Sequence, residues 1–356
     1  MKETMLTYIN EEYITNKSIF ENRKENLKEF ISYFNGKKYD RWIVLATGSS
    51  ANAIECAKYY VENILNISIE IKMPFVFSNY ESKIDENVLY VVVTQSGKSF
   101  STIEALKKVI KSNCDVVTLT ADLNSPVCME SKSIVDIGCG EEKVGYVTKG
   151  FSATVLTFIL MGLELSYKNK IINEEKYNSE LIKIKEAIKN TEKIIEKTFK
   201  WYKENKEELV SGERFLAIGY GPGYGVVREA DTKITETIRT PMNGHELEEY
   251  MHGPYLALTN KDHIIFIETE SKLEFRQEAL RKYLDKYTKH TYKITYKEFS
   301  ENKHDLTLGI KIDELISPLL FVIPIQILSY VIAEDKGNNL SQKTFEDFDD
   351  KLKSKI

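Results

Sequence analysis

The sequence predicts an α/β protein made of two doubly wound parallel-sheet domains, each a three-layer αβα sandwich, related by internal duplication. Three observations lead there. Short apolar, β-branched runs alternate with segments of helical length, which is typical of a parallel sheet covered on both faces. The pattern restarts after a Lys- and Glu-rich stretch, and landmarks in the two halves keep a near-constant offset. A length of 356 residues is enough for about two domains.

The first half supplies four strand-like runs and one clear helix. The strands are predicted at 43–46, 88–93, 116–120 and 134–137, and the helix at 51–61. The segment 168–206 is rich in Lys and Glu, with Ile and Leu at helical spacing. It predicts a long amphipathic connecting helix or a helix pair.

The second half repeats this order. A strand is predicted at 215–218, followed by a glycine cluster and a helix from 226 to about 240, and further strands at 264–267, 292–296 and 308–312. Three landmark offsets are 171 (219 − 48), 174 (267 − 93) and 173 (307 − 134). We therefore predict a first domain over 1–167, a helical connector over 168–206 and a second domain over 207–356.

Composition narrows the class of protein. The 49 Lys and Arg nearly balance the 54 Asp and Glu, so no strong bulk charge favours a nucleic-acid partner. The four cysteines have no metal-ligand spacing, and the N-terminal residues contain no apolar secretory core, so a reduced cytoplasmic protein is expected. The apolar run 316–333 contains two prolines and a glutamine, which favours a buried helix over a membrane span.

The loop after the second predicted strand has the composition of an anion site. Residues 94–99 read Thr-Gln-Ser-Gly-Lys-Ser and precede a helix, where backbone N–H groups and the helix dipole favour negative charge. Gly48-Ser49-Ser50 offers a second such corner. The alternative is that Ser96 and Ser99 are only helix N-caps. Three hydroxyls and an amide exceed what capping needs, so the loop favours a phosphate on a small molecule.

The second half offers no equivalent anion or nucleotide site. Its corresponding loop, 268–271, carries two carboxylates, which would repel a phosphate, so one anion site per chain is expected. The glycine cluster 219–225 is interrupted by Pro222, and no acidic residue follows at the dinucleotide spacing. No phosphate-binding P-loop motif is present either. The chemistry is therefore expected to need neither a nucleotide cofactor nor a metal.

The densest functional signal lies between Lys233 and Pro254. Lys233 and Glu236 are three residues apart on a predicted helix and share a face, and Glu249 and His252 follow shortly after. A glutamate near an ammonium and a histidine can be tuned for proton transfer at neutral pH. The alternative is a surface Lys–Glu pair followed by a helix-capping turn. The residues alone are compatible with both a proton-transfer site and a surface pair.

The order of these motifs resembles a known family. Gly-Ser-Ser50, Gln95-Ser96-Gly97, Lys233-x-x-Glu236 and Glu249-x-x-His252-Gly-Pro are similar to the tandem sugar-isomerase (SIS) domain proteins. The similarity runs from 42 to about 340. It is nearest to the isomerase half of glucosamine-6-phosphate synthase and to the fructosamine-6-phosphate deglycases. Glu236 and His252 are 16 residues apart (252 − 236), as are the family's catalytic Glu and His.

The resemblance implies a role for each matching residue. Glu236 would move a proton between C1 and C2 of an open-chain sugar, His252 would assist ring opening in a neighbouring subunit, and Lys233 matches a lysine of the synthase. The implied phosphate ligands are Ser50, Thr94, Gln95, Ser96 and Ser99. Further pocket residues would be Ser49, Gly97, Tyr146, Val147, Glu249 and Lys343. For Glu249 two interpretations stay open. It could contact a substrate amine or support the site, or it could be a solvated or helix-capping residue.

The sequence also departs from the synthase pattern. Lys98 stands where the synthase has an acidic residue, which makes the phosphate corner more positive. The tail around Lys343 lacks the Pro-Arg of the synthase tail and spaces its Leu and Lys differently. No glutaminase domain or N-terminal cysteine nucleophile is found in this sequence, so glucosamine-6-phosphate synthesis from glutamine is not expected of it.

The sequence thus favours a sugar-phosphate enzyme that transfers a proton between C1 and C2 of an amino-substituted hexose 6-phosphate. A 6-phosphofructosamine deglycase is the leading interpretation. An aldose–ketose isomerase or deaminase of amino-sugar phosphates is the alternative, which Lys233 slightly favours. A non-catalytic sugar-phosphate sensor is the third reading. A homodimer is expected if His252 serves a neighbouring site.

Overall fold

A computed structural model describes residues 3–342 and 344–356, which form two compact units. The first-sheet unit comprises residues 14–182 together with 344–356. The second-sheet unit comprises residues 183–342 together with 3–13.

The first-sheet unit contains a five-stranded parallel sheet in the order β2-β1-β3-β4-β5. This is the doubly wound order in which ligands bind at the carboxyl ends of the strands. The strands are β1 Arg41–Leu45, β2 Ser68–Lys72, β3 Leu89–Val93, β4 Val116–Thr120 and β5 Ile134–Asp136. The helices from the N-terminus to the end of this unit's main segment are α1 Met5–Asn26, α2 Lys28–Phe34, α3 Gly48–Leu65, α4 Pro74–Tyr80, α5 Phe100–Lys111, α6 Pro126–Glu130, α7 Lys149–Lys168 and α8 Glu174–Lys189.

The second-sheet unit repeats this topology. Its parallel sheet has the order β10-β9-β8-β6-β7, which read backwards matches the first sheet strand for strand. The strands are β6 Arg214–Gly219, β7 Met242–Glu246, β8 Asp262–Glu268, β9 Thr291–Thr295 and β10 Asp305–Thr307. The remaining helices are α9 Thr191–Ser211, α10 Gly223–Thr237, α11 Leu247–Tyr250, α12 Glu274–Leu284, α13 Pro318–Asp335 and α14 Phe348–Leu352, with a 3₁₀ turn at Pro254–Ala257. The predicted α/β class and duplicated doubly wound fold are confirmed.

One predicted strand is displaced from the observed strand β10, and two strands were not predicted. The run 308–312 is not a strand, because β10 ends at Thr307 and the apolar side chains of Leu308 and Ile310 are buried from a loop instead. The strands β2 and β7 were not recognised in the sequence. Both lie at sheet edges and carry polar residues that obscure the apolar pattern.

Two apolar helices, α7 and α13, lie inside the core. Each is long and apolar enough to cross a membrane by length and composition, but 94% and 78% of their apolar windows are buried within the fold. That burial is typical of core helices in globular proteins. The predicted buried helix over 316–333 is therefore confirmed as α13, which contains Pro324.

Candidate functional site

Two hydroxyl-bearing loops follow neighbouring strands of the first sheet. Strands β1 and β3 pair in parallel, so the loops after them emerge at the same carboxyl edge. Ser49 and Ser50 lie half-buried in the first turn of α3, and Gly48 adopts a positive φ of 56° before them. The structure thus brings the 48–50 and 94–99 loops to one edge of the sheet.

Gly97 is required at the centre of the 94–99 loop. Its φ is +65°, and an added Cβ would lie 1.9 Å from the Ser125 hydroxyl oxygen. The Gly97 carbonyl also accepts a hydrogen bond from the Val127 backbone at 3.1 Å. The loop is therefore held against the start of α6, and a side chain at position 97 would push it away.

The hydroxyl groups around Ser99 form their own cluster. Ser99 occupies the N-cap position of α5, but its side chain makes no capping hydrogen bond to the helix backbone. Instead its oxygen accepts from the Thr102 hydroxyl at 3.0 Å and lies 3.4 Å from the Ser101 hydroxyl. Ser96 accepts from the Lys98 backbone at 3.4 Å. Simple capping therefore does not describe Ser99.

The C-terminal residues pair with the same loop. The Phe100 backbone N–H donates to the Ser354 carbonyl at 3.1 Å, and the Ile356 N–H donates to the Lys98 carbonyl at 3.0 Å. Ser99 forms an isolated antiparallel bridge with Lys355. Lys98 itself is partly exposed, with its ammonium 4.0 Å from Asp122. Lys343, a predicted pocket residue, lies outside the described residues.

Glu142 is a residue of this edge that the sequence did not reveal. Its carboxylate accepts the Gln95 side-chain amide at 2.7 Å and the Thr148 backbone N–H at 3.1 Å, just before α7. Tyr146 and Val147 lie half-buried on the loop between them. No local motif indicates this contact, because a glutamate six residues before Thr148 matches no capping spacing.

In the second-sheet unit, Lys233 and Glu236 form the predicted pair on α10. The Lys233 ammonium lies 2.9 Å from the Glu236 carboxylate and 3.3 Å from that of Glu229. The Lys233 and Glu229 side chains are 1% and 0% exposed, whereas that of Glu236 is 42% exposed. Burial lowers the pKa of Lys233, but the two carboxylates outweigh it and the pKa is raised. A surface Lys–Glu pair is thereby excluded for Lys233, which is a buried cation beside a half-exposed carboxylate.

Glu249 lies within α11 and His252 follows that helix, and both residues are exposed. The His252 side chain is 71% exposed, and its ring lies 3.9 Å from Glu248. Among the described residues it makes no ion pair or hydrogen bond to Glu236. The α11 cap is Glu246, which accepts the backbone N–H groups of Glu248 and Glu249 at 2.7 and 3.0 Å. The capping role considered for Glu249 therefore belongs to Glu246.

Fold and site together define a duplicated α/β protein with a hydroxyl-lined loop in the first-sheet unit and a Lys–Glu pair with a buried ammonium in the second. A family model of the SIS domain matches residues 37–163. A solved structure from Clostridium difficile 630, described provisionally as a phosphosugar isomerase, is 30% identical with a TM-score of 0.91; the match covers 99% of this chain and 98% of that one. The chain belongs to the SIS domain family.

Two further comparisons are more distant. The glutamine–fructose-6-phosphate aminotransferase of Nostoc sp. is 25% identical over 313 residues, which are 84% of this chain and 50% of that protein. The chain spans about half the length of the curated relatives it matches. The glucosamine-6-phosphate deaminase of Thermotoga maritima is 20% identical, with a TM-score of 0.75 over 96% of this chain and 97% of that one. This last similarity establishes the fold alone.

Proposed function

We propose that the chain catalyses proton transfer between C1 and C2 of an amino-substituted hexose 6-phosphate, and that its substrate is a 6-phosphofructosamine. The observation that carries the proposal is the Lys233–Glu236 pair, because a buried ammonium at 2.9 Å holds a half-exposed carboxylate in one orientation. The 94–99 loop binds the phosphate through its hydroxyl groups and the N-terminus of α5. Phosphate binding fixes the remote end of the substrate while the reacting carbons are oriented.

The chemistry of the deglycase reaction balances without a cofactor. Glu236 takes a proton from C1 of the open-chain ketosamine and returns one to C2. A second proton passes from the nitrogen to O2, so the C2=O double bond is replaced by a C1=N double bond and O2 becomes a hydroxyl. Water adds to C1 of that imine, the C1–N bond breaks, and the nitrogen leaves as a protonated amine. The products are a free amine and a hexose 6-phosphate. None of the four cysteines, all of which lie in the described part of the chain, forms a disulfide, which fits a reaction in the reducing cytoplasm.

The second candidate is an isomerase or deaminase of glucosamine 6-phosphate. It uses the same C1–C2 proton transfer, and the observation that favours it is the buried Lys233, which matches the lysine of the synthase. The fold shared with the Thermotoga maritima deaminase is compatible with it. The two candidates differ in substrate, so turnover decides between them.

The deciding experiment is turnover of a panel followed by mass spectrometry. The panel holds 6-phosphorylated fructosamines of lysine and other amino acids, together with glucosamine 6-phosphate. Glu236→Gln removes the base, and Glu186→Gln is the matched control, because Glu186 pairs with Lys189 at the same i,i+3 spacing on an exposed helix face. Amine release that is lost only in Glu236→Gln supports the deglycase.

Other outcomes redirect the assignment. Turnover of glucosamine 6-phosphate alone supports the isomerase or deaminase. Binding of the panel without turnover supports a sugar-phosphate sensor. Full turnover by Glu236→Gln would overturn the proton-transfer role of Glu236 in either enzyme.

We also propose that the chain acts as a homodimer in which His252 serves the site of the neighbouring subunit. The supporting observation is the exposure of the His252 ring, which has only Glu248 as an ionic partner among the described residues. An exposed imidazole is free to contact a second copy. The oligomeric state in solution and the subunit-mixing experiment described below test this.

A further inference from the structure

The side chain of Gln95 has one orientation fixed by its neighbours. Its backbone carbonyl is held by the Ala121 N–H at 2.9 Å and the Thr120 hydroxyl at 3.2 Å, which ties the residue to the end of β4. Its amide nitrogen donates to Glu142 at 2.7 Å. The amide oxygen, in contrast, is buried and has no hydrogen-bond donor among the described residues. A buried carbonyl oxygen without a donor is unfavourable, so a donor brought to this atom would stabilise the complex.

Glu142 can accept hydrogen bonds but cannot donate them while it is ionised. Its carboxylate accepts from Gln95, from the Thr148 backbone and from the Gly150 backbone at the first turn of α7. Burial raises the pKa of Glu142 above its ordinary value, and the hydrogen bonds from Gln95, Thr148 and Gly150 and the Lys149 charge only partly offset this. Every group that faces the carboxylate is therefore a donor, and the Gln95 amide can present only its nitrogen there.

Gly150 makes this approach sterically possible. A Cβ at position 150 would lie 1.9 Å from the Gln95 amide nitrogen and 2.9 Å from its oxygen. The Gln95 amide consequently lies directly against the first turn of α7. The packing allows the amide group two orientations, related by a 180° rotation that interchanges its oxygen and nitrogen. Glu142 selects between them.

We propose that Glu142 is a positioning residue that orients the Gln95 amide so that its oxygen accepts a hydrogen bond from a hydroxyl or amine group of the sugar. Gln95 then contacts the sugar part of the ligand, and the phosphate is left to the hydroxyl groups and helix N-terminus of the loop. An amide oxygen repels a phosphate oxygen but attracts a hydroxyl donor. The inference rests on the proposed function, because it takes the 94–99 loop as the ligand site.

Glu142→Gln tests this with almost no change of shape. The new side chain keeps one oxygen for the α7 backbone N–H groups and turns its amide nitrogen towards Gln95. Two amide nitrogens would then face each other, so Gln95 rotates by 180° and presents a donor where it presented an acceptor. Glu141→Gln is the matched control, since Glu141 is the adjacent carboxylate and is exposed.

The measurement is calorimetric affinity for inorganic phosphate, glucosamine 6-phosphate and fructose 6-phosphate, with thermal unfolding as a check on folding. In Glu142→Gln, affinity for at least one hexose phosphate is expected to fall about tenfold, while affinity for inorganic phosphate stays within about twofold. Glu141→Gln is expected to match the wild type. Gln95→Ala, which leaves the α7 cap intact, is expected to show the same selective loss, and adding Glu142→Gln to it should have no further effect.

Several results would overturn the inference. These are an equal loss for phosphate and hexose phosphates in Glu142→Gln, an unchanged affinity for all three, or additive losses in the double variant. Equal wild-type affinity for phosphate and both hexose phosphates would also overturn it, because no sugar contact would then exist. If the wild type binds none of the three ligands, the phosphate-loop assignment itself fails, and that outcome is distinct from all the others.

Discussion

Replacing Lys233 with Met is the sharpest test of the charge arrangement on α10. The substitution keeps the length and packing of the buried side chain but removes its charge. The ammonium lies 3.3 Å from Glu229, whose side chain is fully buried, and 2.9 Å from Glu236, which is 42% exposed. Glu236 can regain water when the cation is lost, whereas Glu229 cannot.

The expected loss follows from that difference. Removing one partner of a buried ion pair costs about 3–5 kcal/mol, because a buried charge loses its compensation. The contribution of the exposed Glu236 is within about 1 kcal/mol. We therefore expect Lys233→Met to lower the free energy of unfolding by about 3–5 kcal/mol, nearly all of it through Glu229.

The assay is urea unfolding followed by far-ultraviolet circular dichroism. The double variant Lys233→Met/Glu229→Gln should recover most of the loss, since the buried residue that lost the Lys233 ammonium is then neutral. Lys189→Met is the control, because Lys189 and Glu186 form a pair at 2.6 Å with both side chains more than half exposed, and its effect should stay below about 1 kcal/mol. A loss below about 1 kcal/mol in Lys233→Met, or no recovery in the double variant, would refute the reasoning.

Three further predictions concern the loop, the histidines and the dimer. Gly97→Ala should lower the free energy of unfolding by about 1–3 kcal/mol and abolish phosphate binding. Gly48→Ala should cost only about 1 kcal/mol, because an added Cβ there meets nothing within 4 Å. Equal effects of the two substitutions in urea unfolding would contradict this prediction. Burial and then the His290 ring lower the pKa of His263, and burial lowers the pKa of His304. The unfolded chain therefore binds more protons than the folded chain below about pH 6.5, so stability decreases as the pH falls. The midpoint of unfolding should be lower at pH 5 than at pH 7, and the decrease should be smaller in His263→Gln. An unchanged dependence of the midpoint on pH in His263→Gln would contradict this role of His263. If the active sites are shared between subunits, mixing and reassociating Glu236→Gln and His252→Ala subunits should restore about a quarter of wild-type turnover. Half of the dimers are then mixed, and each mixed dimer has one intact site out of two. No recovery of turnover would argue against shared sites.

The fold was predictable where strands are buried on both faces. The strands β3 and β4 are buried at every position, so the sequence shows unbroken apolar runs there. The edge strand β7 reads Met-Asn-Gly-His-Glu and carries no such signal. The buried residues Leu308 and Ile310 produced the opposite error, because an apolar run that fills a core from a loop has the composition of a strand.

The candidate site was predictable only where its residues are neighbours in the chain. The hydroxyl-rich loop 94–99 and the Lys233–Glu236 pair each span a few residues, so composition and helical spacing were enough to single them out as candidates. The contact between Gln95 and Glu142 joins residues 47 positions apart. Nothing local marks such a partner, and it becomes visible only when the loop before α7 is placed beside the end of β3.

The duplicated fold explains why a second anion loop is not expected in the same chain. Strand β8 occupies the position in its sheet that β3 occupies in the first, so Glu268 stands where the hydroxyl-rich loop begins. The buried Glu268 carboxylate lies 3.2 Å from Lys293, 3.1 Å from Lys297 and 2.7 Å from the Thr295 hydroxyl. This corner therefore already holds an anion, with two ammonium groups and a donor around it. An incoming phosphate would have to take those cations from a buried carboxylate and leave it uncompensated, which is strongly unfavourable. The first-sheet loop carries no such internal carboxylate among its own residues, and this difference supports our proposal that phosphate binds there, at one ligand per chain.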